Sequence, residues 1–148
     1  MLNEWAARHN ITPAALADLR ATLIGVPSAP SDATGSEAAV LNAVRIEASR
    51  RGWRLWRNNV GAGKIDGQFL RWGLANESSA MNTMVKSADL IGLTDTGRFV
   101  SLECKRPGWH YTGTPREVAQ LRWIEIVTAL GGIAKFTTGA IDDSVNNG

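Results

Sequence analysis

The sequence predicts a single mixed α/β domain, in which helices pack on a β-sheet, preceded by a short helical arm. Its 148 residues are 44% hydrophobic, which suits one domain with a sizeable core. Apolar residues follow helical spacing in some segments and strand-like spacing in others, in the order helix, strands, helix, strand. The single cysteine excludes an internal disulfide framework and a zinc cluster of several cysteines.

The N-terminal arm is predicted to contain two short helices. The first covers residues 3–9, and the second begins where Thr12 can cap a helix whose first position is Pro13. The apolar side of this second helix is Leu16, Leu19 and Leu23. Residues 25–35 are rich in Pro, Ser and Gly, which predicts a linker. We therefore divide the chain into three parts. Residues 1–36 form the arm with its linker, residues 37–140 form the main domain, and residues 141–148 form a flexible tail.

The main domain is predicted to begin with a helix over residues 37–51. Ser36 can cap this helix and Gly52 ends it. Its apolar side is Val40, Leu41, Val44 and Ala48. Two strand-like segments follow, at residues 53–58 and 68–72, and the glycine-rich loop between them covers residues 60–67. The next segment, residues 74–87, shows no clear period and is predicted to form a mobile flap.

A β-hairpin and a longer helix complete the domain. The hairpin strands are predicted at residues 90–93 and 98–105, around a three-residue loop. Thr114 and Glu117 form a capping box that begins the helix, and Gly131 ends it. The predicted apolar side of the helix is Val118, Leu121, Ile124 and Val127. A last strand is predicted at residues 133–137.

The hairpin brings two acidic residues together. A loop at residues 95–97 pairs Thr94 with Arg98, and the same register places Asp89 opposite Glu103. Directly opposed residues have Cβ atoms about 5 Å apart, so the two carboxylates repel each other and resist ionisation. A divalent cation between them would remove that penalty.

A lysine joins the two acids. Glu103 and Lys105 are two residues apart in the strand and therefore project from the same face, with Cys104 on the other. Oxygen ligands favour Mg²⁺ or Mn²⁺ over zinc. Such an ion can bind a phosphate oxygen and activate water, while Lys105 orients or deprotonates that water or stabilises developing negative charge. The reaction class that these groups serve best is phosphodiester hydrolysis.

Charge distribution adds a nucleic-acid surface to this prediction. The net charge is +2, but residues 45–72 hold seven basic residues against two acidic ones, with three tryptophans interleaved. Such a pattern is typical of a surface that meets phosphates and stacks on bases, although a solvated face with core tryptophans has the same composition. The candidate nucleic-acid-binding residues are Arg54, Arg57, Asn58, Lys64, Arg71 and Arg106.

Several of these motifs, in this order, resemble the VRR-NUC family of the PD-(D/E)XK nuclease superfamily. The resembling residues are Glu37, Arg57-Asn58, residues 87–92, residues 97–99, Glu103-Cys104-Lys105 and Gln120, and the resemblance spans residues 37–137. It implies a restriction-endonuclease-like core, a mixed β-sheet flanked by helices, and metal-dependent cleavage of DNA. Where the family usually has proline before the aspartate, this chain has Ala88.

The resemblance also implies a role for each matching residue. Asp89 and Glu103 would bind Mg²⁺, which Mn²⁺ can replace, together with the backbone carbonyl of Cys104. Lys105 would serve the water, and Gln120 would approach the site from its helix. Glu37 would add an acidic group near the metal. Members of similar size tend to be homodimers that act on branched DNA such as four-way junctions.

Two other functions remain open at this point. One is a non-catalytic DNA-binding module that keeps the nuclease fold, and the other is a sequence-specific restriction-type endonuclease. We expect a soluble, cytoplasmic protein with no membrane partner, because no apolar stretch reaches the roughly 18 residues of a membrane helix. Charged residues near the N-terminus predict the absence of a signal peptide; they are Glu4, Arg8 and Asp18.

Overall fold

The structure, a computed structural model, describes residues 2–16, 35–139 and 141. Its helices are α1 (Leu2–Arg8), α2 (Glu37–Arg50), α3 (Ser79–Met84) and α4 (Pro115–Ala129), and residues 13–16 are also helical. Its strands are β1 (Arg54–Arg57), β2 (Gly61–Ile65), β3 (Gln68–Trp72), β4 (Leu90–Leu93), β5 (Phe99–Cys104) and β6 (Ile133–Thr137). The predicted mixed α/β class is confirmed.

Four strands form a mixed sheet in the order β1-β4-β5-β6. The pairs β1–β4 and β4–β5 are antiparallel, whereas β6 pairs in parallel with β5 because α4 carries the chain back along the sheet. The register of the β4–β5 hairpin is the predicted one: Leu90 lies opposite Leu102, and Leu93 lies opposite Phe99. Strands β2 and β3 form a separate two-stranded sheet.

Helix α2 covers one face of the four-stranded sheet, as its apolar spacing predicts. Ser36 caps it by accepting a hydrogen bond from the backbone N–H of Ala39 at 3.1 Å. Its buried residues are the four predicted ones, Val40, Leu41, Val44 and Ala48. They pack with alternate residues of β5, namely Val100, Leu102 and Cys104, and with Trp53, Leu55, Leu90, Ile133 and Ile141. This cluster is the hydrophobic core.

Helix α4 lies against the polar side of β5. Of the four apolar residues that predict the helix, Val127 is buried and Val118, Leu121 and Ile124 are half-buried. The buried positions also include Glu117, Ala119 and Gln120. The face of β5 that meets α4 carries Ser101 and Glu103, and Lys105 follows directly after the strand; all three are buried, so the helix needs polar partners there. Its Trp123 indole N–H donates to the Ser101 hydroxyl at 2.8 Å.

Residues 60–67, predicted to form a loop, instead contain strand β2, which pairs with β3. The connection is Asp66-Gly67, both with positive φ (50° and 79°), which is the backbone of a two-residue hairpin turn. Gly61 in β2 is necessary because a Cβ there would lie 2.5 Å from the Trp72 ring. The glycines that suggested a loop are therefore strand residues covered by an indole.

The other differences lie at the ends of the domain and in the predicted flap. Residues 74–87 contain helix α3, which Ser78 caps by accepting from the Met81 N–H at 3.0 Å. Ile141, assigned by sequence to the tail, is 4% exposed and belongs to the core. Thr12 caps its helix as predicted, with a 3.1 Å bond from the Ala15 N–H. The predicted Leu19 and Leu23, most of the linker and residues 142–148 lie outside the described residues.

Across the described part of the chain, no helix is both long and apolar enough to span a membrane.

Candidate functional site

The candidate site lies at the end of the four-stranded sheet where β4 begins and β5 ends. Asp89 directly precedes β4, and the pairing of Leu90 with Leu102 places it opposite Glu103 in β5. The backbone carbonyl of Asp89 accepts from the Asn58 N–H at 2.8 Å, and its side-chain Oδ2 accepts from the Cys104 N–H at 3.0 Å. Bonds from the two neighbouring strands therefore fix the position of Asp89.

Glu103 is the centre of a buried polar cluster. It is 3% exposed, and its Oε1 accepts from the Lys105 ammonium at 3.0 Å and from the Gln120 amide nitrogen. The ammonium also donates to the Gln120 Oε1 at 3.0 Å, which closes a three-residue network. Lys105 Nζ lies 5.6 Å from the ring centres of both Trp109 and Phe136. The structure thus joins Gln120 of α4 to Glu103 and Lys105.

The electrostatics of the two acids reflect this burial. Burial and, next, the charge of Asp89 raise the pKa of Glu103 to about 7, although Lys105 opposes the rise. Burial also raises the pKa of Asp89, and the hydrogen bond from the Cys104 N–H opposes it. Burial raises the pKa of the Cys104 thiol as well, so this side chain is a neutral core residue. Both carboxylates therefore lie where a bound cation would favour their ionised form.

An open cleft of about 380 Å³ gives access to the acids. Asp89, Glu103 and Gln120 line it, together with Leu41 of α2, the end of β1 and the first residues of β2. Lys105, which is 7% exposed, is reached from the cleft through Glu103 and Gln120, to which it is bonded. The cleft has the size of a small-molecule or nucleotide site, with polar groups converging on one end.

Two basic residues in the cleft were missed by the sequence analysis. Lys86 and Arg116 line it alongside the predicted Arg57. Arg116 is near enough to Asp89 and Glu103 to oppose the rise in their pKa that burial causes. It lies in the first turn of α4, where the helix dipole disfavours a cation, and that unfavourable placement was a signal in the sequence. Lys86 belongs to residues 74–87, which the sequence predicts only as a mobile flap, so no motif or helix position indicated a role for it.

Asn58 holds the chain next to Asp89. Its amide nitrogen donates to the Ser87 hydroxyl at 2.8 Å and to the Ala88 carbonyl at 2.9 Å. Ala88 is 2% exposed and is fixed by this bond. Asn58 also lines the cleft. These hydrogen bonds support a positioning role for Asn58, in addition to the nucleic-acid contact predicted for it.

Glu37 is exposed in the first turn of α2. Its charge adds to the rise in the pKa of Asp89 that burial causes, which places it within electrostatic reach of the site. The structure therefore brings Glu37 within electrostatic reach of Asp89 but in a different setting, because Glu37 is exposed whereas Asp89 is half-buried and Glu103 is buried.

The remaining predicted nucleic-acid-binding residues are dispersed. Arg54 donates to the Trp53 carbonyl at 2.8 Å beside β1. Lys64 and Arg71 lie on the β2–β3 hairpin. Arg106 is exposed and lines a separate cavity beside Trp109. These four residues do not line the cleft.

Within residues 2–16, 35–139 and 141, no group of three or more His, Cys, Asp and Glu side chains is arranged to hold a metal ion. A metal here would depend on two carboxylates together with backbone, water or substrate oxygens. No known protein family, curated protein or solved structure matches this chain. The function must therefore be argued from the site.

Proposed function

We propose that this chain is a metal-dependent endonuclease that hydrolyses phosphodiester bonds in DNA, with a VRR-NUC-type, restriction-endonuclease-like core. The observation that carries the proposal is the opposition of Asp89 and Glu103 at the end of a cationic cleft, with Lys105 bonded to Glu103. A surface that only bound DNA would gain nothing from two desolvated acids facing phosphate. Their cost is explained if they hold a cation that acts on the phosphate.

The donor set fits Mg²⁺. The Asp89 and Glu103 carboxylates are hard oxygen ligands, and Mg²⁺ typically takes one or two carboxylates and completes its shell with water and phosphate oxygens. The Cys104 carbonyl would be a third donor, because the N–H and C=O of one strand residue point the same way and its N–H donates to Asp89. When bound, the ion would polarise the phosphate and lower the pKa of a coordinated water.

The other residues of the cluster hold and balance these ligands. Lys105 and Gln120 both donate to Glu103 Oε1, which fixes the carboxylate against rotation. The ammonium of Lys105, held beside Glu103, would offset negative charge that develops during hydrolysis. Glu37, whose charge acts on Asp89, would be available to a water molecule or a second ion.

The basic residues of the cleft would receive the DNA backbone. Arg57, Lys86 and Arg116 line the same space as the acids, so a phosphate held by them lies next to the proposed ion. Contacts from guanidinium and ammonium groups to phosphate give affinity without sequence discrimination. This supports an enzyme that selects DNA by shape, such as branched DNA, rather than by sequence.

Cleavage of matched DNA substrates tests the proposal. A four-way junction, a fork, a plain duplex and a plasmid would be incubated with the full chain, with Mg²⁺, with Mn²⁺ or with EDTA. We expect metal-dependent cleavage of branched DNA and none by Lys105→Ala. Binding without cleavage in either metal would instead favour the DNA-binding module, and discrete bands from linear duplex would favour a restriction-type enzyme. Sedimentation of the same sample tests the homodimer that the resemblance implies.

A further inference from the structure

The β2–β3 hairpin presents two chemically different faces. Residues directly opposite each other in an antiparallel pair project from the same side. Ala62 lies opposite Arg71 and Lys64 lies opposite Phe69, so these four residues share one side, here called the cationic face. Gly61, Gly63, Ile65, Leu70 and Trp72 share the other side. The hairpin thus separates its basic side chains from most of its apolar ones.

The cationic face continues into the cleft. Ala62 is a lining residue of the cleft, and the Arg71 guanidinium donates to the Asn76 Oδ1 at 3.0 Å. Asn76 is 2% exposed, also lines the cleft, and donates to the carbonyls of Gly61 at 2.7 Å and Trp72 at 2.9 Å. A buried amide therefore fixes the base of the hairpin to the cleft wall, so that the cationic face lies beside the cleft.

Phe69 is the unusual member of the cationic face. It is 59% exposed, with the Arg71 guanidinium carbon 5.4 Å from its ring centre and Lys64 directly across the ribbon. An exposed ring flanked by two cations matches the chemistry of single-strand DNA binding, in which bases stack on the ring and phosphates meet the cations. Paired bases inside a duplex are already stacked on each other, so the ring can accept an unpaired base but not a base in the interior of a duplex.

We infer that the cationic face binds an unpaired nucleobase of the DNA strand that leaves the cleft, with Phe69 as the stacking platform. The inference rests on the proposed nuclease function and specifies its substrate class: DNA with a single-stranded segment beside the cleaved phosphate. A second copy of this chain is a poorer occupant of this face, because its own Lys64 and Arg71 would be brought against like charges.

Binding measured without cleavage tests this inference. Forked DNA with 2-aminopurine at successive unpaired positions, and a duplex of the same length, would be titrated with full-length protein in EDTA. The variants are Phe69→Ala, Phe69→Trp, which keeps a stacking ring, and Leu70→Ala as a control on the opposite face. We expect Phe69→Ala to weaken fork binding about 10-fold or more and to remove the 2-aminopurine quenching, with little change for duplex. Phe69→Trp should restore both, and Leu70→Ala should match the wild type.

Three results would overturn the inference. The first is that Phe69→Ala binds the fork as tightly as the wild type does, and the second is that it loses as much affinity for the duplex as for the fork. The third is that Phe69→Ala changes sedimentation without changing DNA affinity, which would assign the face to a second copy. The result is separable from that for the nuclease proposal. A wild-type protein that binds forks through Phe69 but never cleaves refutes only the enzyme, whereas cleavage unaffected by Phe69→Ala refutes only the stacking platform. Failure of the wild type to bind any DNA refutes both.

Discussion

The buried carboxylate of Glu103 makes the stability of the metal-free protein dependent on pH. Its pKa rises from 4.5 to about 7 on folding, mainly through burial, so the folded state binds this proton more tightly than the unfolded chain does. The stabilisation is complete below the unfolded pKa and is lost as the pH rises through about 7. Since one pKa unit corresponds to 1.36 kcal/mol, the loss between about pH 4 and pH 8 is about 3 kcal/mol.

Glu103→Gln removes this titration while keeping an oxygen that can accept from Lys105 and Gln120. The free energy of unfolding of the variant, relative to the wild type, should therefore rise by about 3 kcal/mol between about pH 4 and pH 8. Comparing two pH values cancels the pH-independent cost of replacing the carboxyl group with an amide. The measurement is urea unfolding in EDTA, followed by tryptophan fluorescence. Parallel pH profiles for variant and wild type would refute the reasoning.

Metal should reverse the effect in the wild type alone. Mg²⁺ at about 100 times its dissociation constant stabilises a folded protein by about 2.7 kcal/mol if it does not bind the unfolded chain. We expect a gain of this order for the wild type near pH 8 and a much smaller gain for Glu103→Gln. Glu125→Gln, an exposed carboxylate on α4, is the matched control and should behave as the wild type. An equal gain in all three proteins would place the ion elsewhere.

Four further perturbations test the rest of the site. Lys105→Ala should lower the cleavage rate by about 100-fold or more while gel-shift affinity for DNA is kept; undiminished turnover would remove its assigned role. Asp89→Asn should weaken Mg²⁺ binding in titration calorimetry, and unchanged affinity would exclude it as a ligand. Arg116→Ala should weaken DNA binding and reduce the salt dependence by about one counterion, whereas Arg122→Ala on the same helix should not. The backbone N–H of Thr114, with Thr112 and Trp109, lowers the pKa of Glu117 to about 2. Glu117→Gln should therefore lower the free energy of unfolding near neutral pH, as measured by chemical unfolding. The difference in this free energy between wild type and variant should shrink as the pH falls from about 4.5 towards about 2. A constant difference would contradict this.

Helix α2 was predictable because its signals are local. An N-cap, an apolar side with helical spacing and a glycine stop all lie within one segment, and the tertiary structure uses each of them in the same way. Helix α4 was predicted in its bounds but not in its orientation. Its capping box is local, whereas its buried side is chosen by the polar residues of β5, which are distant in the sequence.

The β2–β3 hairpin shows a different kind of failure. The Asp66-Gly67 pair is a hairpin signal, but the glycines before it carry no alternating apolar pattern and suggested a loop. Only the packing of Trp72 across Gly61 explains why glycine occupies a strand there. The turn motif alone did not predict strand β2, because the indole that covers its glycines comes from the partner strand β3.

The amino-acid order alone determined that Asp89 and Glu103 face each other and that Lys105 joins them. A three-residue loop sets the register of its hairpin, and alternation along a strand sets the side on which each residue projects, so both results follow from short-range backbone geometry. Only the tertiary structure decided that Gln120 closes the network, that burial raises the pKa of both acids, and that Lys86 and Arg116 enter the cleft. These features depend on how α4 packs against the sheet and α3 packs against α4, and the energy of that packing is shared among residues far apart in the chain.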